Sequence, residues 1–505
     1  MSIPPNAANL VKQAGTFRLA SGEAIYGELT LDGPSSSLYL RNVEDFSTLA
    51  IQDKTLHGTL HDLSKISLIQ CITTQGTGLH WNRSASFYFA EVFPHYVTRG
   101  ASHFEPDDNS VCEIFCTFPD ASSVFYDFDA FGISLNPGSL IDAIVKGQQI
   151  GRDITTGDNP IIAYFTGKRD IIAFDSTFGR VVARHNPTYS IGGPNGVRIE
   201  NQVRLGIRFD TNRTFHEAFA GLLVVLQYIG IVCGRAQTPS DISLRISGEG
   251  QKQDVLNLYW SMSPGKNIKS DEEKFHPADA ILNAIDRPEE FSDVAKKWLN
   301  RHDLRRDARS RFSASISNGN KYTVDRLIGS ANMFDLLSSE AVPRNVPLSD
   351  VVTEARERCR DIIKKLPKTI EIASVLFALS RMDKANLKTK IRHRSRIILD
   401  QLSDKFPDLD LVTDAAVDCR NRYVHGGDSR LDYESYFSDA VPFFIDSLEF
   451  VFGVSELIEA GWDAKTWSST PTSMTHPFGS YRVTYRERLT HLKSFLATKS
   501  KRDDK

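Results

Sequence analysis

Apolar residues recur with a period of two through the first part of this chain and with a helical period through the last. Thr16-Phe17-Arg18-Leu19, Ile25-Tyr26-Gly27-Glu28-Leu29-Thr30-Leu31 and Leu38-Tyr39-Leu40 are short alternating runs broken by Gly, Pro and Ser. Gly58-Thr59-Leu60 and Ile66-Ser67-Leu68-Ile69 repeat the pattern, and longer strands are predicted over 84–92, 111–118 and 123–128. Alternation between turn residues is the signature of strands with one face buried. It predicts an antiparallel sandwich or barrel-like lobe over 1–140.

A mixed α/β lobe is expected over 155–275. Strands are predicted at 161–165, 170–174 and 203–209, an apolar helix at 215–231, and strands at 242–246 and 255–260. Gly192, Gly193, Pro194 and Gly196 mark a turn between them. They are not flanked by the strand, helix and Lys that a phosphate-cradling loop needs.

From about Pro277 the spacing changes to three and four. Phe291, Val294, Trp298 and Leu299 form one stripe, and Val324, Leu327, Ile328, Ala331 and Phe334 another. Further helices are predicted at 351–364, 369–380, 384–402, 410–424, 433–459 and 480–497. They compose an all-α bundle over 280–465, followed by a C-terminal helix and charged tail over 470–505. The fold class is therefore α+β, a β-rich half followed by a helical one.

Composition narrows the function only a little. A formal net charge of -3 over 505 residues gives no global pull toward nucleic acid, so an RNA site must be a local patch. No run reaches the roughly 20 apolar residues that span a bilayer. The nearest, 218–232, is interrupted by Gly and Gln, and the N-terminus lacks the pattern of a signal peptide. No membrane association is expected. Six scattered Cys form no zinc-type pair of pairs, which suits a reducing cytoplasm.

Chemistry concentrates in the run Arg420, Asn421, Arg422, Tyr423, Val424, His425, closing at Gly426 and Gly427. Val412, Ala416, Cys419 and Tyr423 recur as a buried stripe. At about 100° per residue that stripe puts Asp414, Asp418, Asn421 and His425 on the opposite side and Arg420 on its flank. A cation at a helix C-terminus is favoured by about 0.3–1 kcal/mol, so His425 reads as a cap or as a proton donor. Attack of a ribose 2′-OH on its own phosphate needs a base, an acid and a cation for the phosphorane charge. One copy of the run offers one His and two Arg, and two copies facing each other would offer both halves of acid-base catalysis. Arg followed five residues later by His also occurs at Arg180/His185 and Arg486/His491, so the spacing alone says little. The following Asn, the Gly-Gly stop and the helical surroundings set Arg420 apart.

With those features the stretch resembles the R-x4-6-H signature of HEPN domains, helical bundles of which many are dimeric RNases and some are non-catalytic binding modules. The matching positions are Arg420, Asn421 and His425. The front of the chain resembles the N-terminal domain of ApeA-like anti-phage proteins, through Gly15-Thr16-Phe17-Arg18-Leu19, Gly27-Glu28-Leu29 and His57-Gly58-Thr59-Leu60 leading into Ile66-Ser67-Leu68-Ile69-Gln70-Cys71. A β-rich front before a HEPN rear is the order in that family.

The resemblance implies a cytoplasmic abortive-infection effector, a homodimer through its HEPN domain, that cuts host RNA, tRNA among the candidates, without metal or other cofactor. It would leave a 2′,3′-cyclic phosphate and answer to a phage-derived trigger sensed by the front half. Arg420 would hold the scissile phosphate, Asn421 would orient it or the partner His, and His425 would be acid or base. Asp418, Arg422 and Tyr423 are candidate supports. Lys388, Lys390, Arg392, Arg394 and Arg396 form a basic run read as an RNA-backbone track or a solvated face. The alternative is a catalytically silent HEPN dimerisation scaffold whose β-rich half binds a partner protein.

Overall fold

Alternation in the first hundred residues produces a closed barrel. The computed structural model describes the chain apart from residues 1–10, 20–21, 44–54, 75–77, 83–84, 148–154, 191, 195, 249–252, 265–274, 427–436 and 504–505. Strands β1 (Val11–Arg18), β2 (Ala24–Leu31), β3 (Ser37–Val43), β4 (Thr55–Leu60) and β5 (Lys65–Thr73) are joined by β6 (Gly78–Asn82) and the long β7 (Ala85–Gly100). All pairings are antiparallel. β7 pairs with β3 along one edge and β5 along the other, and β5 leads back through β4 to β1 and β2, so six strands close on themselves. Inward positions carry Phe17, Leu29, Leu38, Leu40, Leu56, Ile66, Leu68 and Val92, all buried. Phe17 fills the centre because Gly27 and Gly58 lack side chains: a Cβ on Gly58 would stand 2.6 Å from the Phe17 ring.

The far half of β7 keeps barrel strand β5 on one edge and, on the other, exchanges β3 for an open sheet. Its Tyr96–Arg99 stretch pairs with β15 (Gln253–Trp260). Beyond it lie β14 (Ser240–Ser247), β8 (Val111–Thr117), β13 (Ile199–Arg213), β12 (Gly179–Tyr189) and β11 (Asp170–Ser176). The apolar helix α3 (Phe215–Cys233) reaches this sheet through Phe215 and Phe219, whose rings lie 5.0 and 5.3 Å from that of Tyr96. α3 has the length and hydropathy of a membrane span, and 72% of that window is buried within the fold. β9 (Phe131–Leu135) and β10 (Ile161–Phe165) form a separate two-stranded sheet, with α2 (Gly138–Gly147) between them in sequence. Residues 123–128, expected as a strand, instead follow one helical turn, α1 (Ala121–Val124), in which Ser123 N and Val124 N donate to Asp120 O.

The chain divides into two compact units, the first holding Met1–Ile229, Gln237–Pro277 and Leu282–Ser292, the second Gly230–Ala236, Ala278–Ile281 and Asp293–Lys505. The second is helical: α5 (His302–Ile316), α6 (Val324–Asp335), α7 (Asp350–Lys364), α8 (Ile370–Ser380), α9 (Leu387–Leu402), α10 (Leu409–His425), α11 (Phe437–Glu459), α12 (Ala464–Ser469) and α13 (Pro477–Asp503), with α4 (Pro288–Asn300) entering it from Asp293. α11 runs through the middle and packs on α5, α6, α9, α10 and α13. Its buried face is not purely apolar. Glu456 takes Arg309 Nη2 at 2.8 Å, Arg394 Nη2 at 3.3 Å and Arg305, while Glu459 takes Arg305 and Arg394 at 2.6 Å each. Burial works to raise the Glu456 carboxyl, but the three guanidiniums outweigh it and hold the group below the usual range.

Candidate active site

Leu409, Val412, Thr413, Ala416 and Cys419 are buried, so the expected stripe fixes the rotation of α10. Asp418, Val424 and His425 are exposed, whereas Asn421, Arg422 and Tyr423 are half-buried. The helix stops at Gly426, whose φ of +70° suits a residue without a side chain and whose N–H donates to Arg422 O at 2.9 Å. Gly427 lies outside the described residues.

Arg420 is held rather than loose. Nη1 donates to Asn421 Oδ1 at 3.0 Å and Nη2 to Asn332 Oδ1 at 2.8 Å. Asn332 stands on α6, whose N-terminus is capped by Thr323 accepting from Arg326 N. Each terminal nitrogen carries a second N–H, which leaves the planar fork able to receive an oxyanion. His425 follows a turn later at the solvent end of the same helix, exposed, and its ring makes no hydrogen bond among the described residues. Arg420, Asn421 and His425 therefore share one end of the bundle, and Asn332 joins them. Nothing in the sequence pointed to Asn332, because its partner lies 88 residues away.

The basic run resolves differently from its sequence reading. Arg394 is fully buried, with Nε donating to Ser455 Oγ at 2.9 Å and its fork on Glu456 and Glu459, so it faces the core and not a phosphate track. Lys390 reaches Asp335 of α6 at 2.8 Å. Lys388 pairs with Asp418 at 2.6 Å and Arg392 with Asp414 at 3.0 Å, while Arg396 is exposed. Asp418, a candidate support for the site, is thereby engaged by Lys388.

Residues 12–298 match the ApeA N-terminal domain 1 family and residues 328–466 the Apea-like HEPN family. The chain belongs to the ApeA-like family. No curated protein and no solved structure matches it. The ApeA-like order of a β-rich front and a HEPN rear is the one the fold displays. HEPN domains are generally RNase domains that commonly dimerise and bind RNA, and the ApeA-like type is that of a nuclease-type anti-phage effector.

Proposed function

We propose that this chain is a metal-independent endoribonuclease that cuts host RNA, tRNA among the candidates, as an abortive-infection effector, with its β-rich half as sensor or restraint. The observation that carries the reading is the anchored Arg420 fork, held by Asn332 and Asn421, with His425 exposed on the following turn. In the reaction the ribose 2′-oxygen attacks its neighbouring phosphorus and the bond to the 5′-oxygen breaks. One imidazole takes the 2′-OH proton and another gives a proton to the leaving oxygen. The products are a 2′,3′-cyclic phosphate and a 5′-hydroxyl. Arg420 stabilises the charge on the phosphorane, a role for which a fixed planar fork is better suited than a mobile one. A second copy would supply the second His, and Arg422 and Tyr423 would support the site from the same turn.

Purified protein, His425→Ala and Asn332→Ala are incubated with total bacterial RNA in EDTA, with and without infected-cell extract, and the ends are mapped. His425→Ala is expected to lose about a hundred- to ten-thousand-fold in rate, as for removal of a general acid or base. Asn332→Ala is expected to lose about tenfold while keeping its melting temperature, because the fork loses one of its two anchors. Absence of cyclic-phosphate ends from wild-type digests under every condition overturns the proposal.

A further inference from the structure

α7 and α8 stand apart from every other helix of the second unit in having no buried residue at all. α8 reads IEIASVLFALS, with Glu371 its single charge. A helix apolar all round belongs in an interior, because each exposed side chain forgoes burial. Here Ile370 is 85% exposed, Phe377 60%, Val375 41% and, on α7, Ile362 63%. α7 covers one side of α8 and nothing described covers the rest.

The register of the bundle locates this hairpin. Lys388 pairs with Asp418 and Arg392 with Asp414, so four residues forward on α9 match four residues back on α10, and the two helices run antiparallel. The start of α9 therefore lies beside the end of α10 that carries Arg420 and His425. Both ends of the hairpin pass through one stem there: Val346 N donates to Asp383 O at 2.7 Å, Ala385 N to Arg344 O at 2.9 Å, and Lys384 Nζ to Asn345 Oδ1 at 2.9 Å. The uncovered helices spring from the catalytic end of the bundle.

We propose that the α7–α8 hairpin is the surface on which a second copy of this chain docks, hairpin against hairpin about a two-fold axis, drawing the two Arg420/His425 ends toward each other. Charge on α7 selects this occupant. Its first half carries Asp350, Glu354 and Glu357 against Arg356, and its second half with the following residue carries Arg358, Arg360, Lys364 and Lys365 against Asp361. In a two-fold antiparallel contact the acidic half of each copy meets the basic half of the other, the self-complementarity that an isologous interface requires. A lipid surface suits the hairpin less. α8 has 11 residues, about half of what a bilayer span needs, and the acidic half of α7 would face anionic headgroups. That the contact serves catalysis rests on the ribonuclease reading; the contact itself does not.

Sedimentation of the full chain tests it. The wild type and His425→Ala are expected to be dimers, and Phe377→Glu to raise the dissociation constant at least about tenfold with an unchanged thermal melt. Asp350→Lys/Glu354→Lys and Arg360→Glu/Lys364→Glu are each expected to be monomeric alone and to form a heterodimer when mixed. A wild type that stays monomeric to about 100 µM overturns the proposal, whether or not it binds anionic vesicles. So does a dimer that survives both Phe377→Glu and the separate charge reversals. A hairpin-dependent dimer that cuts no RNA leaves this inference standing and removes the ribonuclease reading instead.

Discussion

His476 shows how a single buried side chain sets a pH response. Burial pushes its imidazole down to about 4, from a usual value of 6.5. The ring stays neutral in the fold: Nδ1 accepts from Phe478 N at 3.0 Å, and Nε2 donates to Ile231 O at 3.1 Å. Above pH 6.5 neither the folded nor the unfolded chain protonates this ring, and it adds no pH dependence. As pH falls through 6.5 the unfolded chain binds a proton that the folded chain refuses, so stability declines until about pH 4, where both bind it. Between pH 7.5 and 5 the second unit is expected to lose about 2 kcal/mol from this group alone. Urea midpoints of the wild type against His476→Gln, measured across that range, check the difference; parallel pH profiles would refute it. At this scale the site was only partly legible. Spacing placed Asn421 and His425 off the buried stripe, but cations recurring every two residues from Lys388 to Arg396 are spread round the helix, and one of them meets the core. That Arg394 is the one depends on Glu456 and Glu459, 62 and 65 residues further on and silent in the local pattern.

Among the elements, α11 carries the heaviest electrostatic duty. Arg305 and Arg309 from α5 and Arg394 from α9 meet its Glu456, and the Arg309 guanidinium also lies 3.7 Å over the Trp298 ring. Removing one member of a buried charge network strands the others without compensation. Glu456→Gln is accordingly expected to destabilise the second unit by about 3–5 kcal/mol in chemical denaturation, far beyond the effect of an exposed pair such as Arg358–Glu354. Element boundaries were readable where periodicity was long: 410–424 against Leu409–His425, and 351–364 against Asp350–Lys364. They failed at 123–128, where alternation over a few residues cannot be told from one helical turn. The uncovered state of α8 was also hidden, because an apolar run reads alike whether its cover comes from its own chain or from another.

For the whole molecule, charge is the property that bears on RNA. The net charge is -3, and the basic run is largely spent within the bundle, on Asp335, Asp414 and Asp418 and, for Arg394, in the core. Binding of RNA to the His425→Ala protein is therefore expected to weaken gently with salt, with a log–log slope of about -1 to -2 for single strands rather than the steeper value of five engaged cations. Filter binding across a salt series measures it, and a slope of about -3.5 or steeper would mean that the run breaks its internal pairs to hold the backbone. The order of a β-rich half and a helical half was visible from the change of period alone, whereas barrel closure was not, because it depends on β5 returning to β7 across pairings that no local window contains. That long strand governs how the first unit comes apart. Val92 is paired within the barrel, and Tyr96–Arg99 are shared, held by β5 of the barrel on one edge and by β15 of the open sheet on the other. Fraying either structure strips hydrogen bonds from the strand that anchors the other, so the two melt as one cooperative block, and the amides of β7 exchange with solvent last.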